Sequence, residues 1–260
     1  IVPKTKSKRA TCAIVRAEDI IDPATVGQAR GHLAIAGIGP GDASMRTPEA
    51  DAAVAAASDI IGYRLYIDLL GPAAARKTRH DFDLGEEEAR VRTALDLAAE
   101  GRNVALVCSG DAGIYAMASP AFELIERERA SRPEWARLEI NVVPGVSALQ
   151  TAAARAGAPL GHDFCAISLS DLLTPWAVIR NRVRAAAQGD FVVAFYNPVS
   201  KRRTTQLTEA RDILLEHRPA DAPVMLARKL GRAGESLNVT TLGELDPANV
   251  DMLTVVLVGS

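Results

Sequence analysis

Most of the residues able to do chemistry sit in four loops, each at the end of a short apolar run. The first is Gly37-Ile38-Gly39-Pro40-Gly41-Asp42. Its glycines let a ligand approach the backbone, and a helix start follows at Thr47-Pro48-Glu49, where a phosphate or an adenosine could rest. The spacing is G-x-G-x-G rather than G-x-G-x-x-G, so a tight strand-to-loop turn with Asp42 capping it fits equally. No Gly-Lys-Ser/Thr follows, which excludes a P-loop. The second loop is Ser109-Gly110-Asp111-Ala112-Gly113-Ile114-Tyr115. Asp111 can accept from ribose hydroxyls or backbone N–H groups at the edge where open α/β sheets bind ligands, or can close an Asx turn. The third, Pro144-Gly145-Val146-Ser147-Ala148, ends a strand and starts a small-residue helix that Ser147 can cap. The fourth runs from Phe195-Tyr196-Asn197-Pro198 to Lys201-Arg202-Arg203. Three consecutive cations suit a ligand with many carboxylates, or simply solvate the loop.

The remaining reactive types add little. His32, His80, His162 and His217 show no metal-ligand spacing, and His162-Asp163 reads as a surface turn or a proton carrier. No Gly-x-Ser-x-Gly elbow or Cys/His nucleophile pair is present, so covalent catalysis is not suggested. Cys12, Cys108 and Cys165 are odd in number and none lies in a Cys-x-x-Cys pair. A disulfide framework or a structural zinc site is not expected, no metal is expected, and the usage fits a reducing cytoplasm.

The elements that must position these loops follow from periodicity. Strands are predicted at 33–36, 59–63, 103–108 and 140–143, alternating with helices at 47–57, 86–100, 119–130 and 147–155. That alternation implies a parallel sheet. A boundary is expected near Ala158-Pro159-Leu160-Gly161. Beyond it come strands at 164–169 and 191–196 with helices at 174–187 and 205–217, then strands at 224–229, 236–241 and 252–258. Strands clustering at the end imply a mixed sheet. The expected domains are a tail at 1–32, an N-terminal α/β domain at 33–160 and a C-terminal α/β domain at 161–260. Ile14-Val15 and Ile20-Ile21 are short strands or docking contacts within the tail, which reads as a cut from a longer chain.

Composition bounds the function. The chain has 260 residues, 48% hydrophobic and 24% charged, close to globular averages, which excludes a disordered polymer. A net charge of −2 gives no basic surface for nucleic acid, and 4% aromatics provide no base-stacking platform. No run of 18 apolar residues exists, so no membrane-spanning helix is expected.

Taken in order, the loops resemble those of the tetrapyrrole methylases. Gly37 to Asp42 and Val143 to Ala148 match that family's signatures, Ser109-Gly110-Asp111 stands where many members have Gly-Gly-Asp, and the resemblance covers residues 33–260. The longer strings Ser109 to Ala118, His162 to Trp176, Phe195 to Pro198 and Val250 to Thr254, with Gly62-Tyr63 and Tyr66-Ile67, are similar to its precorrin-3B C(17)-methyltransferase branch. The resemblance implies a class III methyltransferase fold, α/β with a parallel first sheet and a mixed second one, and S-adenosylmethionine in the cleft between two domains, leaving as S-adenosylhomocysteine. It implies cofactor contacts from Pro40, Ser109, Gly110, Asp111, Ile114, Tyr115, Ser147, Ala148, Tyr196, Asn197 and Ala227. Arg64, Lys201, Arg202 and Arg203 would bind the carboxylates of a tetrapyrrole, with Arg228 next in line. The implied reaction is methylation of ring carbon 17 of precorrin-3B with ring contraction to precorrin-4, in a cytoplasmic homodimer. Asp111, Tyr63, Ser109 and His162 are the candidates for its acid and base. The alternatives are a cobalt-precorrin-3 methyltransferase, a Rossmann-type nucleotide enzyme, and a non-catalytic tetrapyrrole binder.

Overall fold

The structure, a computed structural model, describes residues 31–260. The Ile14-Val15 and Ile20-Ile21 readings, Cys12 and nearly all of the expected tail lie outside the described residues. The chain forms two compact units, and the second collects segments from three places: Gly37–Thr47, Ser109–Tyr115 and Pro144–Ser260. The first unit holds the rest: 31–36, Pro48–Cys108 and Ala116–Val143.

The first unit is built on a parallel sheet. Its strands are β1 (His32–Gly37), β2 (Asp59–Tyr63), β3 (Thr78–Phe82), β4 (Asn103–Cys108) and β5 (Glu139–Val143), in the order β3-β2-β4-β1-β5. β1 and β4 are almost wholly buried, which explains their continuous apolar runs. The helices are α1 (Pro48–Ala56), α2 (Arg64–Asp68), α3 (Glu87–Ala99) and α4 (Ala118–Arg127). α1 places Ala50 and Val54 one turn apart, and Ala50 packs on Ala34, Ala36 and Val143. α3 opens on Glu87 and Glu88, the favoured sign at a helix N-terminus, and buries Val91, Ala94, Leu95 and Ala98. Trp135, fully buried, donates from Nε1 to Asp96 Oδ1 at 3.0 Å and lies under the guanidinium groups of Arg92 and Arg132.

At the N-terminal edge of this sheet Asp59 is buried. His80 Nε2 lies 2.9 Å away, Arg102 Nη1 3.1 Å and Ser58 Oγ 2.8 Å. Burial pushes the carboxyl up, but the His80 and Ser58 hydrogen bonds and the Arg102 charge together outweigh it, so it sits below the usual carboxylate range.

The second sheet is mixed. β6 (Phe164–Ser168), β7 (Val192–Tyr196), β8 (Pro223–Arg228), β9 (Ser236–Thr241) and β10 (Thr254–Val258) lie in the order β6-β7-β10-β8-β9. β6 and β7 are parallel, and the other pairings are antiparallel. Strand periodicity splits β7 between two cores. Val193 and Phe195 face α6 (Trp176–Gln188) and α7 (Gln206–Leu215), whereas Val192 and Ala194 pack with Leu149, Ala152 and Ala153 of α5 (Ala148–Arg155). Trp176 donates from Nε1 to Glu209 Oε2 at 2.9 Å, fastening the start of α6 to α7.

β3 and α2 were not predicted. β3 is a polar edge strand, mostly exposed, and needs no apolar run. β10 starts at Thr254 rather than 252, because Asp251 holds a turn there: its Oδ1 accepts from Leu253 N and Thr254 Oγ1.

Candidate active site

β4, β1 and β5 are neighbours in the first sheet, and the loops that follow them are the three glycine loops, which belong to the second unit. There they are joined backbone to backbone. Gly39 N donates to Gly110 O at 3.2 Å and Gly110 N to Gly39 O at 2.8 Å. Gly145 N donates to Asp111 Oδ2 at 3.0 Å, and Thr47 Oγ1 to Pro144 O at 3.3 Å. A Cβ on Gly145 would lie 2.2 Å from Gly110 O and 2.6 Å from Gly37 O, so the close approach requires glycine. Gly110 is different. Its φ of +73° is the left-handed region, and a Cβ there would meet nothing nearer than Ala148 N at 3.7 Å. The space above Gly110 is therefore open, next to the start of α5.

The side chains on these loops mostly hold the loops themselves. Asp42 caps its turn, accepting from Ser44 N at 2.8 Å. Asp111 accepts from Gly113 N through Oδ1, an Asx turn, and from Gly145 N through Oδ2. Ser147 makes a full capping box with Gln150. Tyr196 Oη accepts from Leu149 N at 2.9 Å, pinning β7 to α5, and burial pushes its phenol up. Tyr115 stands at φ +50°, donates to Ala166 O at 2.7 Å, and leans its ring on Tyr196 with centroids 5.3 Å apart. Burial pushes that phenol up too. Asn197, also at positive φ, donates from Nδ2 to Ser168 Oγ at 3.1 Å.

The structure thus brings Pro40, Ser109, Gly110, Asp111, Ile114, Tyr115, Ser147, Ala148, Tyr196, Asn197 and Ala227 into one unit, with Ala227 buried in β8. Tyr63 and Arg64 belong to the first unit, where Tyr63 ends β2 and packs edge-on against Tyr66. His162 is exposed at the opposite end of β6 from Ser168. Lys201 and Arg202 are exposed, whereas Arg203 is buried. Arg203 donates from Nε to Asn197 O at 2.8 Å and from Nη1 to Ser170 Oγ at 3.3 Å, with Asp171 3.8 Å away. Arg228 pairs with Asp251 at 2.6 Å.

One residue escaped the sequence reading. Arg232, in the turn between β8 and β9, donates from Nε to Pro40 O at 2.7 Å and from Nη2 to Ser109 Oγ at 2.8 Å. It ties that turn to the first two glycine loops. The only signal was a Gly231-Arg232-Ala233-Gly234 string, which a plain hairpin turn explains as well.

The model of the Tetrapyrrole (Corrin/Porphyrin) Methylases matches residues 32–246. The chain belongs to this family. A precorrin-3B C(17)-methyltransferase from Sinorhizobium sp is 47% identical over 230 residues, 88% of this chain and 89% of the relative. A probable cobalt-factor III C(17)-methyltransferase from Salmonella typhimurium is 43% identical over 228 residues, 88% of this chain and 92% of that one. The crystal structure of the methyltransferase CobJ superposes with a TM-score of 0.83 at 46% identity, covering 88% of this chain and 94% of that chain. This tetrapyrrole methylase is therefore an enzyme of methyl transfer, with the α/β architecture of the family. Among the described residues, no helix is long and apolar enough to cross a membrane, and no cluster of three His, Cys, Asp or Glu side chains could hold a metal ion.

Proposed function

We propose that this methylase transfers the methyl group of S-adenosylmethionine to carbon 17 of precorrin-3B, with contraction of the macrocycle to precorrin-4, in cobalamin biosynthesis. The observation that carries this reading is 47% identity to a precorrin-3B C(17)-methyltransferase along 88% of the chain. The site's chemistry supports it. The space above Gly110 is bordered by the backbone of Ser147 and Ala148 and, among the described residues, offers no cation to a phosphate there, which suits an adenosyl group bearing a sulfonium cation better than a polyphosphate. When bound, the cofactor supplies an electrophilic methyl group, and no covalent enzyme intermediate is needed.

The chain's own contribution is to orient. The junction of Gly37, Gly110 and Gly145 fixes the floor, and Asp111 shapes the second loop with the bond from Gly113 N and ties it to the third with the bond from Gly145 N. Positioning of this kind supplies much of the rate in a displacement reaction. Ring contraction also needs protons moved. Ser109 and Asp111 are the acid–base candidates on this floor, and Tyr63 and His162 remain the others. Lys201, Arg202 and Arg64 are the exposed cations for substrate carboxylates. A homodimer in the cytoplasm belongs to the same reading, and light scattering at micromolar concentration checks the dimer.

The Salmonella relative favours a second reading, in which the substrate carries cobalt. Incubation with methyl-labelled S-adenosylmethionine and either metal-free or cobalt-bearing precursor, read by mass spectrometry, separates the two. Label in a contracted product from the metal-free precursor supports the first. Label only from the cobalt-bearing precursor supports the second, and label from neither overturns both. Calorimetry with S-adenosylhomocysteine and with NAD tests the cofactor, and heat from NAD alone would overturn the assignment.

A further inference from the structure

The loops after β6 and β7 follow adjacent parallel strands, so both leave the second sheet at the edge where strand C-termini lie. Buried Arg203 joins them, bonding Asn197 O on one loop and Ser170 Oγ on the other. A second fastening lies beside it, from Gln206 Nε2 to Asp171 Oδ2 at 3.0 Å, and a third secures the far end of the β6 loop, where Trp176 meets Glu209. Between these fastenings stand Leu172 and Leu173, 76% and 93% exposed. Two adjacent leucines in water are unfavourable, and scattered single ones would need no explanation. Here the loop is stapled on both sides, so their exposure is imposed by the fold. Directly before Arg203 on the partner loop, Lys201 and Arg202 are exposed as well. An apolar pair beside two free-standing cations matches a ligand that is broad and apolar on its faces and anionic at its rim.

We propose that Leu172 and Leu173 form an apolar seat for the face of the tetrapyrrole, with Lys201 and Arg202 taking rim carboxylates, and that Arg203 is a positioning residue that locks the two loops and never touches the substrate. The proposal rests on the tetrapyrrole reading above and adds to it the residues that select a macrocycle. Asn197 and Ser168, at the root of the same two loops, are bonded to each other, which sets the seat beside residues expected to hold the cofactor.

The test is a fluorescence titration with uroporphyrin, an octacarboxylate macrocycle, on the full chain, with S-adenosylhomocysteine calorimetry in parallel. The variant Leu172→Ser/Leu173→Ser should lose tenfold or more in uroporphyrin affinity and keep cofactor affinity. Leu172→Met/Leu173→Met, which keeps the apolar surface, should restore binding to within about twofold of wild type. Lys201→Ala/Arg202→Ala should weaken binding and flatten its salt dependence, because exposed charge contacts are screened. Wild-type affinity in the Ser/Ser variant, or no rescue by Met/Met, overturns the seat. If wild type itself binds S-adenosylhomocysteine but no tetrapyrrole, the substrate reading fails instead.

Discussion

Around the glycine loops of the second unit, backbone meets backbone. Gly39 and Gly110 exchange hydrogen bonds, and Gly145 sits where a Cβ would strike Gly110 O and Gly37 O. Around the loops after β6 and β7 the fastenings are side chains, with buried Arg203 reaching across the gap and the Asn197–Ser168 and Gln206–Asp171 bonds beside it. The first arrangement leaves no room to adjust, and it forms a surface that a cofactor can approach closely. The second is a strut whose bonds can be removed one at a time, and it leaves the loop tips free to carry varied side chains.

Breaking the backbone junction should cost most. Gly145→Val forces a branched side chain against two carbonyls, at or beyond the top of the ~1–3 kcal/mol overpacking range. S-adenosylhomocysteine binding should disappear and the thermal midpoint should fall; a variant with wild-type affinity and midpoint would show that the junction yields. Arg203→Ala removes charge-assisted hydrogen bonds each worth about 1.5–3 kcal/mol. It should weaken tetrapyrrole binding and spare the cofactor, the ligand whose binding Gly145→Val abolishes. Equal loss of both ligands would erase the contrast between the two loop groups.

Arg232→Met keeps an unbranched apolar stem but removes the bonds to Pro40 and Ser109. Cofactor affinity should drop about tenfold, or about 1.4 kcal/mol, with a smaller effect on the midpoint. A fall in midpoint with unchanged affinity would make Arg232 a fold residue only. Ser147→Ala, which opens the capping box of α5, should cost ~1 kcal/mol of stability, read by denaturant titration; no change would mean that Tyr196 alone holds the start of that helix.

The acidic edge of the first sheet offers a milder probe. Asp59 has its folded pKa depressed, so its contribution is present above the unfolded value of about 3.9 and is lost as pH falls through the folded one. Acid titration of Asp59→Asn should remove that part of the low-pH destabilisation; an unaltered acid limb would place the sensitivity elsewhere.

The elements that bury apolar runs were legible in the sequence. β2, β4 and β9 match the expected spans, and Ser147 caps α5 as its type and place suggested. β3 was not, because a polar edge strand announces itself only through its partner β2. The loops carrying the site were legible as glycine, acid and cation strings. Their internal roles were not, because a sequence does not show which way a side chain turns. Asp111 faces its own backbone and Arg203 turns inward, while Arg202 beside it stays in water. Arg232 was invisible for a related reason, since its partners Pro40 and Ser109 lie more than a hundred residues away along the chain.

The two tryptophans of the chain fall one to each unit: Trp135 buried beneath two guanidinium groups, and Trp176 at the head of α6, bonded to Glu209. Intrinsic fluorescence can therefore be divided between the units by a single substitution. Trp135→Phe leaves emission that reports the second unit alone, from a ring a few residues past Leu173, where arrival of a light-absorbing macrocycle would register as quenching. Trp176→Phe leaves a silent second unit and a reporter for unfolding of the first.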